Sequence, residues 1–156
     1  MSPDAVHVVN GITVEAIDNQ ADEVVQLDRW AALAAAALDT EGVTAPAECN
    51  LLFVDADTIA ALKAEHLGGD GPTDVLAFPI DDAGPVDTDM PRLVGDIVIC
   101  PSVARRNREG RALDDELALL VVHGVLHLLG HDHAEPDETH RMKEREQVLL
   151  GTFHRP

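Results

Sequence analysis

A chain of 156 residues has room for one domain with a full hydrophobic core, and nothing in it suggests a second, so residues 1–156 read as a single unit. Its 29 Asp and Glu against 11 Lys and Arg leave a formal charge of -18, unfavourable for a protein whose whole surface must hold a polyanion. Two cysteines give no disulfide framework, the start Ser2-Pro-Asp-Ala-Val-His7 is too polar for a secretory leader, and no uninterrupted apolar run is long enough for a membrane span; the expected setting is a reducing cytoplasm.

Residues 12–17, Ile-Thr-Val-Glu-Ala-Ile, alternate and are rich in β-branched side chains, which predicts a strand closed by Asp18-Asn19. The stretch 27–38, with Trp30, Leu33 and an alanine run, predicts a helix packed in the core. A second strand is expected at 50–54, after which Asp55 or Asp57 caps a helix running to about Leu67. Gly68-Gly-Asp-Gly-Pro72 is a loop by composition, and 75–78 is a third strand, too short for a helix. The acidic, Pro- and Gly-containing stretch 81–91 reads as a lid or a connector.

A fourth strand is expected at 97–99, and Pro101 opens a helix bearing arginines. Asp114, Asp115 and Glu116 place acid at the start of the next helix, where its dipole favours negative charge. Pro136 opens a last amphipathic helix that turns Met142, Val148 and Leu149 inward. Short strands among helices make this an α+β domain: one small mixed sheet of about four strands, packed with helices.

The most informative stretch is Leu117-Ala-Leu-Leu-Val-Val-His123-Gly-Val-Leu-His127-Leu-Leu-Gly130-His-Asp-His133. His123 and His127 are four apart and share one face of a helix that is otherwise apolar all round and must be buried. Buried imidazoles need partners, either backbone carbonyls or one metal ion that serves both. In an uninterrupted helix His131 would share the stripe as third ligand; if Gly130 stops the helix, His131 leaves it and the chain folds back with His133, the favoured candidate. Three imidazoles with an open fourth position suit one catalytic Zn2+ ion. In metalloproteases of the H-E-x-x-H type the residue after the first histidine is the general base; here it is Gly124, which counts against a peptidase.

The run HGVLHLLGHDH resembles the signature of the YbeY family of metal-dependent endoribonucleases. Gly71-Pro-Thr-Asp-Val-Leu-Ala-Phe-Pro79 and Gly95-Asp-Ile-Val-Ile-Cys100 resemble two further segments of that family, in the right order, so the resemblance covers about residues 48 to 150. It implies a zincin-like fold and a single-strand-directed endoribonuclease in ribosomal RNA maturation, specifically 16S rRNA processing and ribosome quality control. It implies zinc on His123, His127 and His133, with ribosomal RNA or the small ribosomal subunit as partner, and neither DNA nor membrane.

Two departures from the family pattern bear on catalysis. Leu67 stands where many members carry an arginine, with His66 the nearby group able to become a cation, and Ala77 stands where serine is usual. Asp74, where a loop enters a strand, reads as a turn cap from its own neighbourhood and as a site-lining carboxylate from the resemblance. Asp96, after Gly95, is open to the same two readings. Asp132 is placed to orient a ligand imidazole.

Acid is spread over the whole chain, a solubility trait or an adaptation to high salt. The exception is Arg105-Arg106-Asn-Arg108-Glu-Gly-Arg111, which is read either as a helix end with favourable cations or as a patch for the RNA backbone, with Arg105, Arg108 and Arg111 near one helical face. Two other functions stay open from the residues alone: another zinc hydrolase of peptidase type, and a ribosome-assembly binding factor with a structural metal.

Overall fold

The computed structural model describes residues 4–69, 71–81, 90–131 and 135–154. Five strands, β1 (Asp4–Val9), β2 (Ile12–Asp18), β3 (Ala47–Phe53), β4 (Val75–Pro79) and β5 (Arg92–Ile99), form one mixed sheet in the order β1-β2-β3-β5-β4. The β1–β2 and β4–β5 pairs are antiparallel, whereas β2–β3 and β3–β5 are parallel. The helices are α1 (Leu27–Thr40), α2 (Ala56–His66), α3 (Pro101–Asn107), α4 (Leu113–Leu128) and α5 (Pro136–Phe153).

The alternation of strands decides how helices distribute over the sheet. Leu51, Phe53, Ile97 and Ile99 face one way and join Trp30, Leu38, Leu117, Val121, Val125 and Leu126 in the main core between the sheet and helices α1 and α4. Leu52, Leu76 and Val98 face the other way and build a smaller cluster with Ile59 of α2 and Val103 of α3. Asp55 caps α2 as expected, its carboxylate accepting the backbone N–H of Thr58 at 2.8 Å. Helix α4 is buried on most sides, touching α1, α3, α5, β4 and β5, and the stripe of Leu119, His123 and His127 stays partly exposed.

Strand β1 was not expected. It is an edge strand with two of its three valines, Val6 and Val8, on the exposed face and only Ala5 and Val9 against the core, so its pattern does not announce burial. Its signal was the turn instead: Asn10 and Gly11 both have positive φ, 49° and 80°, the conformation that an Asn-Gly hairpin requires. Strands β3 and β5 also start earlier than their apolar runs, at Ala47 and Arg92. Val148 corrects the reading of α5. Met142 and Leu149 are fully buried, seven residues apart on one stripe, and Val148 is turned about a quarter of the way round from Leu149 and is 47% exposed. The lid expected at 81–91 falls largely on residues 82–89, outside the described residues.

Cys49 and Cys100 are buried free thiols, as expected. Burial, aided by the Asp96 carboxylate, pushes the Cys49 thiol up to about 12. A thiol harder to ionise folded than unfolded contributes stability in full below the unfolded value of about 8.5, and that contribution is lost as pH rises toward the folded value. Native protein at pH 8 should therefore leave Cys49 unlabelled by a disulfide-exchange reagent, with rapid labelling only after denaturation. Peptide mass spectrometry reads the site, and fast native labelling of Cys49 is the contrary result.

Candidate functional site

Helix α4 brings His123 and His127 side by side one turn apart, with ring centroids 4.5 Å apart and Nε2 facing Nε2 at 2.9 Å. They line a cleft of about 470 Å3 between α4 and β4, together with Leu67, Val75, Leu76, Ala77, Pro79, Gly124, Gly130 and His131. Space explains why the pair reaches this edge. A Cβ on Gly124 would stand 2.6 Å from Ile97 Cγ2, so α4 lies closer to β5 here than any side chain would allow. On the same strand, a Cβ on Gly95 would meet Phe78 O at 2.4 Å and Leu128 Cδ2 at 2.7 Å, so the end of α4 is drawn onto the sheet as well.

The helix stops where Gly130 predicts. Gly130 has φ +96°, its N–H bonds to His127 O at 3.1 Å, and the His131 N–H bonds to Leu126 O at 3.0 Å. This pair of bonds is the Schellman cap, which needs a left-handed residue and satisfies the last free carbonyls. His131 thereby leaves the helical stripe, although it still lines the cleft. His133 and Asp132 lie outside the described residues, and among those described no group of three His, Cys, Asp or Glu side chains is arranged to hold a metal ion.

Behind His123 stands Glu146 of α5, its Oε1 2.8 Å from His123 Nδ1, with side chains only 14% and 23% exposed. A carboxylate accepts, so the Nδ1–H donates, and in the neutral ring that tautomer leaves the Nε2 lone pair on the side of His127. Two imidazole nitrogens converging on one point, one backed by a carboxylate, are the donor set that suits a zinc ion at about 2.0–2.1 Å from each. These two imidazoles suit two positions of such a metal's shell. Glu146 was missed in the sequence, though a signal existed: it lies four residues after the fully buried Met142, a carboxylate on the apolar side of an amphipathic helix.

The other expected residues divide. Leu67 and Ala77, the two departures from the family pattern, both line the cleft. His66 does not; it packs against the Phe78 ring at 5.1 Å with nearly half its side chain exposed. The Asp74 backbone O accepts from Cys100 N at 2.9 Å, and its carboxylate accepts from Asn107 at 3.4 Å while lining a second cavity beside His123. Asp96 takes a bond from Asn50 at 3.0 Å on the sheet.

The arginines do not form one helical stripe, because α3 ends at Asn107, Arg108 is its cap and Arg111 lies beyond it. Arg105 is clamped on both carboxylate oxygens of Glu23, at 2.6 and 2.7 Å, which holds the Glu23 carboxyl below its ordinary range. Arg111 Nη2 bonds both oxygens of Glu116, at 3.0 and 3.1 Å. Desolvation nevertheless raises the Glu116 carboxyl, opposed by Arg111.

A family model described as Endoribonuclease YbeY matches residues 15–154, reaching further toward the N-terminus than the motifs do. The Endoribonuclease YbeY of Salinispora tropica is 47% identical over 147 residues, covering 88% of this chain and 94% of that protein. The one from Thermobifida fusca is 44% identical over 133 residues, with coverage of 82% and 86%. In shape, the chain is similar to the solution structure of TM1509 from Thermotoga maritima, with a TM-score of 0.55 over 90% of both chains at 24% identity, which speaks for the fold.

Gly124 provides a test of the packing. Alanine there gains about 0.8–1.0 kcal/mol of helix propensity. Overpacking costs typically 1–3 kcal/mol, and it should prevail because Ile97 is β-branched and fully buried. Gly124→Ala is expected to lower the urea midpoint, and Gly124→Glu to lower it further. A glutamate variant as stable as the parent would show that the helix has room at this position.

Proposed function

Since the chain belongs to the YbeY endoribonuclease family, we propose that it is a metal-dependent endoribonuclease that cuts single-stranded RNA during 16S ribosomal RNA maturation and quality control. One observation carries this function: two imidazole Nε2 atoms meet at 2.9 Å in an open cleft, with a carboxylate behind one of them. In the proposed site a single Zn2+ ion is held by His123, His127 and His133. When bound, zinc supplies Lewis acidity toward the attacking water and the phosphoryl oxygens.

The chain's own residues supply the rest. Glu146 holds the His123 ring in one tautomer and one orientation. Gly124 offers no carboxylate base after the first histidine, which separates this chemistry from that of H-E-x-x-H peptidases. Asp132 is the proposed orienting partner of a further ligand imidazole, and Asp74 the carboxylate nearest in role to a proton acceptor, through the cavity it shares with His123. Ribosomal RNA in the small subunit is the proposed substrate and the cytoplasm the proposed setting. Among the described residues no helix is long and apolar enough to cross a membrane.

A cleavage assay tests this directly. Purified protein should cut single-stranded RNA, lose that activity to a chelator and regain it with zinc; a zinc-loaded protein that cuts no RNA would overturn the proposal. His133→Ala should lose its metal by elemental analysis while His131→Ala retains it, and the reverse pattern would exchange the two ligands. Glu146→Gln should weaken zinc binding by roughly 10–100-fold in a chelator competition. Leu67 is 65% exposed, so an arginine has room in its place. Leu67→Arg should raise the cleavage rate, since preorganised charge at a phosphoryl centre is a large term, and an unchanged rate in metal-loaded protein would show that another group fills that role.

A further inference from the structure

A second cavity of about 380 Å3 adjoins the histidine cleft, and Val75 and His123 line both. It lies among the start of β4, the end of α3 and the facing sides of α4 and α5, so a strand crossing the histidine pair runs from one cavity into the other. Each is of the size that small-molecule groups occupy, roughly 300–1,000 Å3.

The polar groups of this second cavity are not equivalent. Its three carboxylates are already engaged: Glu116 with Arg111, Glu146 with His123, and Asp74 with Asn107. Arg111 uses only Nη2 on Glu116, and a guanidinium has five donors, so Nε and Nη1 keep theirs for another acceptor. Lys143 is exposed on α5 and makes no ion pair among the described residues. It is one of two lysines in a chain of formal charge -18, and it sits beside the candidate centre. Half-buried Leu119 gives the cavity an apolar wall, and Asn107 gives it an amide edge.

An apolar wall, an amide edge and cations in one groove match the three parts of a nucleotide: base face, base edge and phosphate. We propose that this groove is a subsite for a nucleotide flanking the scissile bond of single-stranded RNA, with Lys143 and Arg111 as its phosphate contacts. The assignment rests on the endoribonuclease function proposed above. The acidic surface repels RNA at long range, but salt shortens that repulsion to a Debye length of about 8 Å, inside which individual groups such as Lys143 and Arg111 can reach a phosphate. Arg105, clamped on Glu23, contributes less to such a contact than its sequence neighbourhood suggests.

The test uses metal-loaded full-length protein and a labelled single-stranded RNA of about a dozen nucleotides, within the range of roughly 4–16 that single-strand sites cover. Affinity is measured across a salt series, with metal content and circular dichroism recorded for each variant. Lys143→Ala should weaken binding by roughly an order of magnitude and flatten the log-log salt slope by about 0.7. Lys143→Glu should weaken it further, and Lys143→Arg should restore it, none of them changing the metal content. If wild-type protein cuts RNA while Lys143→Ala and Lys143→Glu bind with its affinity and slope, the subsite is overturned and the endoribonuclease function stands. If wild-type, metal-loaded protein neither binds nor cuts the RNA, both are overturned.

Discussion

Helix α4 has to be dry on every side and yet carries two imidazoles, and the placement of its neighbours answers that conflict. Leu117, Val121, Val122, Val125 and Leu126 are completely buried, each worth roughly 1.5–3 kcal/mol of transfer free energy, so the helix cannot move outward to hydrate its histidines. The histidine strip is instead aimed at the short edge strand β4, where a cleft stays open. Glu146 gives the His123 ring its hydrogen bond, and Gly124 and Gly95 remove the side chains that would hold α4 off the sheet. The cap at Gly130 then ends the helix three residues past the second histidine, so that the chain leaves the core beside the cleft.

The same packing redistributes the charge. Arg29 bonds Asp114, Arg105 bonds Glu23, Arg145 bonds Glu41, and His154 contacts Asp115, each joining segments distant in sequence around the outside of the core. The exposed one, Arg105 with Glu23, contributes little stability. Its larger effect is on function, since an arginine held by a carboxylate offers less to a phosphate. The local excess of positive charge that stands out between Arg105 and Arg111 is thus reduced at Arg105, while Lys143 of α5 lines the cavity next to the histidines.

Much of the architecture was legible wherever neighbouring residues decide the outcome. The Asp55 cap, Pro101 and Pro136 at helix starts, the stop at Gly130 and the apolar character of α4 are local facts, and each is where the residues put it. Strand β1 escaped because an edge strand buries only one side of a weak alternation, although Asn10-Gly11 marked its turn. Val148 was misjudged because apolar character alone does not say on which side of a stripe a residue falls; its register against Met142 and Leu149 does.

By itself, then, the sequence determined the α+β class, the family and the pairing of His123 with His127, because a helical spacing of four and a run of capping residues act within a few residues of chain. Only the tertiary structure decided that Glu146 backs His123, that Arg105 belongs to Glu23, and that Leu67, Ala77 and the histidines face one cleft. The first two contacts join residues 23 and 82 positions apart. No local periodicity encodes them; they follow from how closely a buried helix can approach a sheet.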